Sequence, residues 1–439
     1  MKFQNIWHLF TAIFTATTVH AQDMTYDGQD ILGIESIVDV ERSKNEPWRK
    51  EANQRIEQHR KADIHIQVID QQGQPVEDAT VQIQLKKHHF KFGGVVSARI
   101  LAGQVKNIDP EMYKSFCLQS FNQVGFNNAL KYKLKKGLAP LVPPIMSWLK
   151  QNDMPVRGHT LIWPGWNHMH KDAVQLKEDP EALRQFCDQQ IIEYAQNWDV
   201  VEWDVMNEPR GNHDIQDILG KDVIVEWFQL AKQHVRNKDA LLFLNENRVV
   251  SAPPAQKKRY MKLYLETARY LQEKGAPISG VGYQSRYKWD CPPEEMYARL
   301  CEMDKALQLP ISATEFEVAD TPRHQWTEET RSEMTERVMT VYFSHPSVIS
   351  ILAWTIIDRD ENQKGLARPD GTLKKNGKVW HYLTKQKWHT DEAEMTDATG
   401  AVSFRGFKGD YSYTIQHGNN RTEGTFKLEN SKQMTLKLQ

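Results

Sequence analysis

Apolar and polar positions along the chain follow two rhythms. Near the start, "ADIHIQVIDQQGQPVEDATVQIQLKK" alternates apolar with polar residues around Gly73 and Pro75, which predicts a β-hairpin over 63–89 packing on the central part of the chain. At the far end, "GAVSFRGFKGDYSYTIQHGNNRTEGTFKLENSKQMTLKLQ" alternates again, with Gly-containing turns. That predicts a small antiparallel β-module over 389–439. Its aromatic residues, Phe404, Phe407, Tyr411, Tyr413 and Phe426, are accounted for as core.

Between these segments the rhythm changes to short apolar runs separated by helix-like stretches. The runs are "FKFGGVV" (90–96), "FNQVGF" (121–126), "VRGHTLIW" (156–163), "EWDVMNE" (202–208), "LLFLNE" (241–246), "ISGVGYQS" (278–285), "ISATEFE" (311–317) and "VISILAWTI" (348–356). Intervening segments such as "DPEALRQFCDQQIIEYAQNW", with Asp179 as a cap before Pro180, carry helical periodicity. Eight such units between residues 90 and 388 predict an α/β fold, a (β/α)8 TIM barrel with small β additions at both ends. The alternative, a doubly wound open sheet, finds no Gly-rich phosphate-binding loop to support it.

The polar stretch 22–62 ("RSKNEPWRKEANQRIEQHRK" within it) predicts a helical lead-in or linker. Ahead of it, "MKFQNIWHLFTAIFTATTVHAQD" pairs Lys2 with an apolar stretch and a small-residue end at Ala21. It predicts a cleaved signal peptide over 1–21 and a secreted or periplasmic protein. That apolar stretch is too short for a membrane span and is broken by His8 and several Thr residues, and no other segment offers one. Export permits disulfides, yet Cys117, Cys187, Cys291 and Cys301 show no metal-type spacing and read as packed thiols, with a Cys291–Cys301 bridge left open.

Charge narrows the partners. Against 56 basic residues stand 57 acidic ones, so no long-range field draws nucleic acid or an anionic membrane, and the expected partner is neutral. The 13 Trp residues suit sugar stacking, though most buried Trp simply pack.

Chemistry enters at the ends of the apolar runs. "VVEWDVMNEPRG" finishes a buried run with Asn207 and Glu208, and comparable polar residues end the others: Asn127 and Asn128, His159, Asn245 and Glu246, Gln284 and Arg286, Glu315 and Glu317. The C-terminal ends of barrel strands converge on one face, so Glu208 and Glu315 are predicted to face each other across a cleft. Paired carboxylates flanking a bond are what glycoside hydrolysis requires. A metal ranks lowest: "WNHMHK" places His168 and His170 on a loop without an acidic ligand at metal spacing, and His159 reads as well as a core histidine.

These motifs also carry a resemblance. "WDVMNEP" is similar to the acid/base motif of the family 10 glycoside hydrolases, the endo-β-1,4-xylanases. "ISATEFEV" resembles their nucleophile strand, "RGHTLIW" their third strand, "FNQVGFNNALKYK" their second and "GVGYQSRY" their sixth, in order along residues 63–439. The hairpin and tail resemble the plant-type multidomain members. The resemblance implies a retaining double displacement with Glu208 as acid/base and Glu315 as nucleophile. It implies a sugar-hydroxyl contact for Asn207, sugar-binding positions for Asn128, Lys131, His159 and Gln284, and aromatic walls at Trp163 and Trp354. The implied substrate is xylan or a related polysaccharide or oligosaccharide, and no cofactor or metal is called for, since two carboxylates supply the proton and covalent chemistry. A barrel hydrolase of another β-glycan is the runner-up, and a catalytically weak glycan-binding protein the reading from a different class.

The sequence departs from the family pattern at several positions. Asn127 stands where a Glu is expected and Tyr132 where a Trp is expected, and "DRDENQKG" lacks a second Trp. Arg286 replaces a His, and Glu317 replaces the Asp that orients it. Because residues i and i+2 on a strand share a face, Glu315 and Glu317 are both expected to point toward Arg286, which would bridge them in support of the nucleophile. The alternatives are an Arg286 that contacts substrate or lies on the rim in solvent.

Overall fold

The structure, a computed structural model, describes residues 46–359 and 364–439. The signal-peptide expectation, and most of the lead-in, fall outside the described residues. Helix α1 (Pro47–Arg60) is the part of the lead-in that is seen, and it is not a free linker. It buries Ala52 and Ile56 and pairs Arg49 with Glu336 of α3 (Glu328–Ser344). At its end the Arg60 guanidinium donates to the carbonyls of Phe343 and Val348, both at 2.7 Å. These contacts satisfy carbonyls that the end of α3 and the following turn leave without helical partners.

All eight apolar runs become parallel strands of one closed barrel: β3 (Lys91–Val96), β4 (Gln123–Phe126), β5 (Val156–Ile162), β6 (Glu202–Asn207), β7 (Leu241–Glu246), β8 (Gly280–Tyr283), β10 (Ile311–Val318) and β11 (Val348–Ala353). They pair in that order, and β11 closes on β3. A two-residue strand β9 (Arg286–Tyr287) continues β8 along the far end of β10. Strands β5, β6 and β10 are buried at every residue, as befits strands covered by helices outside and side-chain layers inside. Such packing leaves no room at Gly158, where a Cβ would stand 2.3 Å from the ring of the fully buried Trp203. The helix α2 (Pro180–Asn197) starts where the cap predicted it, with Asp179 accepting from Ala182 N at 3.0 Å. No helix among the described residues is long and apolar enough to cross a membrane.

The hairpin expectation needs correction. The chain does turn at Gly73, and Ile69 bridges Pro75, but β1 (Lys61–Ile69) and β2 (Thr80–His88) then enter different sheets. Strand β1 lies between β13 (Ala401–Phe407) and β16 (Lys432–Lys437), while β2 lies between β12 (Asp391–Met395) and β14 (Gly409–His417), with β15 (Asn420–Leu428) outermost. Consequently 63–89 and 389–439 are halves of one two-sheet unit, not a hairpin and a separate module. Nor is the C-terminal part wholly antiparallel, since β16 runs parallel to β1. Each strand has one apolar face, and two isolated strands cannot bury such faces; Ile64, Ile66, Val81 and Ile83 need Phe404, Tyr411, Ile415 and Leu428 to complete a core.

An aromatic cluster joins this unit to the barrel. Phe92 at the start of β3 stacks on Trp388 (5.6 Å), and Phe343 contacts both Trp388 (4.3 Å) and Phe407 (6.1 Å). These residues sit near the N-terminal ends of the barrel strands, so the β unit covers the face opposite the one bearing the polar strand ends. Phe404, Phe407, Tyr411 and Phe426 are buried there. All four cysteines are free thiols, and burial pushes the Cys291 thiol up to about 12.

Candidate active site

At the C-terminal face a cleft of about 920 Å3 opens, and its lining includes Lys131, His159, Trp163, Asn207, Glu208, Gln284, Arg286, Glu315 and Trp354. Parallel strands place their C-terminal ends on one side, which is why residues scattered over two hundred positions meet here. Two of the candidates are exceptions, Glu317, which lies behind Arg286, and Asn128. Asn128 is exposed on the rim and accepts from Lys131 Nζ at 3.1 Å.

Glu208 directly follows β6 with φ +52, a left-handed backbone that turns its side chain out of the strand direction. Its amide donates to Asn245 O at 2.8 Å, and its Oε1 accepts from Gln284 Nε2 at 2.6 Å. Gln284, which the resemblance gave as a sugar-binding position, thus holds the Glu208 carboxylate. Asn212 Nδ2 contributes a longer bond, 3.4 Å, to the other carboxylate oxygen.

Glu315 lies within β10 and is nearly fully buried. Asn245 Nδ2 donates to Glu315 Oε1 at 3.3 Å and to Asn207 Oδ1 at 3.0 Å, and Thr314 holds the Asn245 amide oxygen at 2.7 Å. Asn207 keeps its Nδ2 without a partner among the described residues, a buried donor on the cleft wall. Arg286 grips the opposite oxygen: Nε and Nη2 stand 3.0 and 2.7 Å from Glu315 Oε2. Its Nη1 donates to Glu317 Oε1 at 3.4 Å, and Thr355 donates to Glu317 Oε2 at 2.8 Å. Burial alone would favour loss of the Arg286 proton, but the Glu315 and Glu317 charges outweigh it and hold its pKa above the ordinary value. Beneath the guanidinium lies the Trp354 ring, 4.3 Å from Cζ to centroid.

The wall formed after β4 and β5 is aromatic and basic. Lys131 Nζ sits 5.2 Å from the Trp163 ring and 5.6 Å from that of Trp354, and burial lowers its pKa despite Glu315 and Glu208 nearby. His168 stacks flat on Trp163 at 3.6 Å, so it serves as a second layer behind that indole. No group of three or more metal-ligating side chains occurs among the described residues. His159 Nδ1 bonds Asp204 Oδ2 at 2.7 Å, and burial first, then Lys131, lowers its pKa to about 3. The ring is therefore neutral, Nδ1–H donates to Asp204, and Nε2 is left as an acceptor. Asp204 belongs to a buried network with Arg157, Glu202 and Gln123.

Sequence reasoning named Glu246 as a strand-end polar residue without giving it a role, and it missed several loop residues at this mouth. Glu246, at the end of β7, takes backbone N–H bonds from Arg210 (3.0 Å) and Asn247 (2.8 Å), yet burial raises its pKa to about 7. The missed residues that line the cleft include Arg248, Lys288, Trp289 and Arg323. Arg248 and Lys288 follow strand ends just as Arg286 does, and that position was the available signal. A smaller recess of about 240 Å3 adjoins the cleft behind Arg286 and Trp354, and Asn127 and Glu317 line it. Tyr132 faces away and donates to Glu193 at 3.0 Å.

Known proteins resemble this chain in sequence and in fold. The chain is 25% identical over 380 residues to the anti-sigma-I factor RsgI6 of Acetivibrio thermocellus, covering 84% of this chain and 46% of that protein. It is 25% identical over 405 residues to endo-1,4-β-xylanase 1 of Arabidopsis thaliana, covering 89% of this chain and 40% of the relative. It thus spans less than half the length of either. Among solved structures, xylanase 10B from Thermotoga petrophila in complex with xylobiose superposes with a TM-score of 0.58 at 19% identity, covering 68% of this chain and 95% of that one, a likeness of fold. The family model described as glycosyl hydrolase family 10 matches residues 82–387, from β2 through the whole barrel. With that match extending over more than half its length, the chain belongs to glycosyl hydrolase family 10.

Proposed function

We propose that the protein is an exported, retaining hydrolase of β-1,4-xylosidic bonds in xylan or a related hemicellulose. The observation that carries this reading is the convergence of Glu208 and Glu315 from separate strands on one cleft, each held by its own donors. Glu315 attacks the anomeric carbon while Glu208 protonates the departing glycosidic oxygen; Glu208 then deprotonates a water that displaces Glu315 from the same carbon. Arg286 and Asn245 orient the Glu315 carboxylate, so one oxygen pair does not have to be fixed at the moment of reaction. The unpartnered Asn207 Nδ2 suits a sugar hydroxyl. The neutral His159 offers an acceptor, and Trp163 and Trp354 offer flat apolar faces. No step calls for a cofactor.

Reducing-sugar release from xylan, with proton NMR of the first-formed anomer, tests the proposal. Retention is expected, as for carboxyl groups about 5 to 5.5 Å apart. Glu315→Gln should abolish turnover, and Glu208→Gln should spare only substrates with good leaving groups. An inverted product, or near wild-type turnover of xylan by either variant, would refute the assignment. N-terminal sequencing of the exported protein tests the leader: processing near Ala21 is expected.

A further inference from the structure

The cleft of this nearly neutral chain is strongly basic. Five Lys and Arg residues line it against two carboxylates, Glu208 and Glu315, both already assigned to the reaction. Arg286 is committed to Glu315 and Glu317, and Lys131 to Asn128. The other three, Arg248, Lys288 and Arg323, have neither a carboxylate within 4.0 Å nor a side-chain hydrogen bond among the described residues. Exposed cations are usually just solvated. Here three loops, following β7, β9 and β10, deliver them to a single cavity.

Two further observations separate this cluster from a solvated surface. Arg248 has φ +50, the left-handed conformation shared by Glu208 (φ +52) and Ser285 (φ +59) at the ends of neighbouring strands. Its backbone thus leaves the strand direction as that of Glu208 does, and its side chain lines the cleft. Lys288 is crowded by its own sign: burial, then Arg248, Arg286 and Lys364, act to lower its pKa, and only Glu317 opposes. Like charges gathered at the edge of a low-dielectric cleft repel one another until an anion joins them.

The barrel order says where that anion would sit. Glu208 on β6 and Glu315 on β10 divide the mouth into a β11-β3-β4-β5 half, holding Trp354, Lys131, His159 and Trp163, and a β7-β8 half. We propose that Arg248, Lys288 and Arg323 form a site for an anionic substituent, a uronic carboxylate or a sulfate ester, on a sugar bound in the β7-β8 half of the cleft. The site therefore selects acidic glycans over neutral ones. Guanidinium forks match either anion in a bidentate fashion, and an exposed cluster supplies discrimination more than raw affinity. Trp289, on the same wall, supplies an apolar face for the sugar that carries the charge.

This inference rests on the glycosidase reading, and the experiment keeps the two apart. kcat/KM is measured on glucuronoxylan, on the same polymer after reduction of its carboxyl groups to alcohols, and on sulfated xylan, at low and high salt. A preference of about tenfold for an acidic polymer is expected, the scale of two or three solvent-exposed charge-assisted bonds, and it should shrink with salt. Which polymer shows it tells carboxylate from sulfate. In Arg248→Met, Lys288→Met and Arg323→Met combined, the ratio of acidic to neutral substrate should fall towards one. Equal rates on all three polymers, or a preference that survives the triple substitution, would overturn the site. Affinity electrophoresis of Glu315→Gln on the same polymers reads discrimination without turnover. Stronger retardation by the acidic polymers supports the site even where hydrolysis fails, and equal retardation counts against it.

Discussion

Replacing Arg157 with Met is expected to destabilise the barrel in a way that grows with pH. Arg157 is 2% exposed and lies between Glu202 (4%) and Asp204 (1%), 2.7 Å from the former and in direct contact with the latter. Removing the only cation among the described residues in direct contact with these two buried carboxylates leaves them uncompensated, a change that costs about 3 to 5 kcal/mol. Asp204 supplies the pH dependence. Burial already pulls its pKa up to about 7, against the opposing pull of Arg157 and Lys131. An unfolded Asp titrates near 3.9, so between roughly pH 4 and 7 the folded protein holds a proton that the unfolded chain releases. The associated stability is complete below about pH 4 and lost as pH rises through 7. Without Arg157 the folded carboxyl holds its proton to higher pH still, so the deficit relative to wild type should be larger at pH 8 than at pH 5. A further rise of one unit adds about 1 kcal/mol at pH 8, approaching about 1.4 kcal/mol at higher pH. Urea unfolding followed by tryptophan fluorescence at both pH values reads the difference. Arg157→Met combined with Glu202→Gln and Asp204→Asn should regain most of the loss, since no buried charge is then left unpaired. A deficit below about 1 kcal/mol, or one equal at the two pH values, would refute the reasoning.

Packing sets two further outcomes. Gly158→Ala drives a methyl into the fully buried Trp203 ring and should cost about 1 to 3 kcal/mol in urea unfolding, with lower kcat/KM because His159 is the next residue; unchanged stability would mean that Trp203 can move. Deleting residues 391–439 strips β1 and β2 of every ladder partner and loses buried Val402, Phe404, Phe407, Tyr411, Ile415, Phe426 and Leu428, on the order of 10 kcal/mol of burial. The truncated chain should therefore be insoluble or bind a hydrophobic dye, and a soluble barrel with wild-type melting would contradict the shared core.

The barrel was legible in the sequence because its strands are buried on both faces and its helices on one, so two periods mark them independently. Edges were less sharp: the run at 121–126 begins as strand only at Gln123, since Asn122 spends its side chain on the carbonyls of His88 and Phe90 at 3.0 and 2.9 Å. Pairing was not legible at the termini. Alternation says that a strand has an apolar face, not which strand covers it, and the partners of β1 lie more than three hundred residues away in β13 and β16. The hairpin expectation took the shortest connection, which is the ordinary choice, and the long-range choice left no local trace.

At the site, the residues that strand ends deliver could be named beforehand, whereas those that loops deliver could not. A parallel barrel brings Asn207, Glu208, Gln284 and Glu315 together whatever the loops do. Gln284 shows the limit of that rule, since it stands just past β8, the strand beside that of Glu315, yet its amide crosses to Glu208. The charge of the cleft shows it again. A formal charge of −1 is a sum over the whole surface, and it argued for a neutral partner. The potential that a ligand meets is local, set by which loops fold over the cavity. Outside the cleft, Arg and Lys residues are widely matched to acids, as in the pairs of Arg184 with Glu226 and Arg405 with Asp63. Matching elsewhere leaves the unmatched cations of the cleft invisible to any average, and only their convergence after β7, β9 and β10 reveals a charged wall inside a neutral molecule.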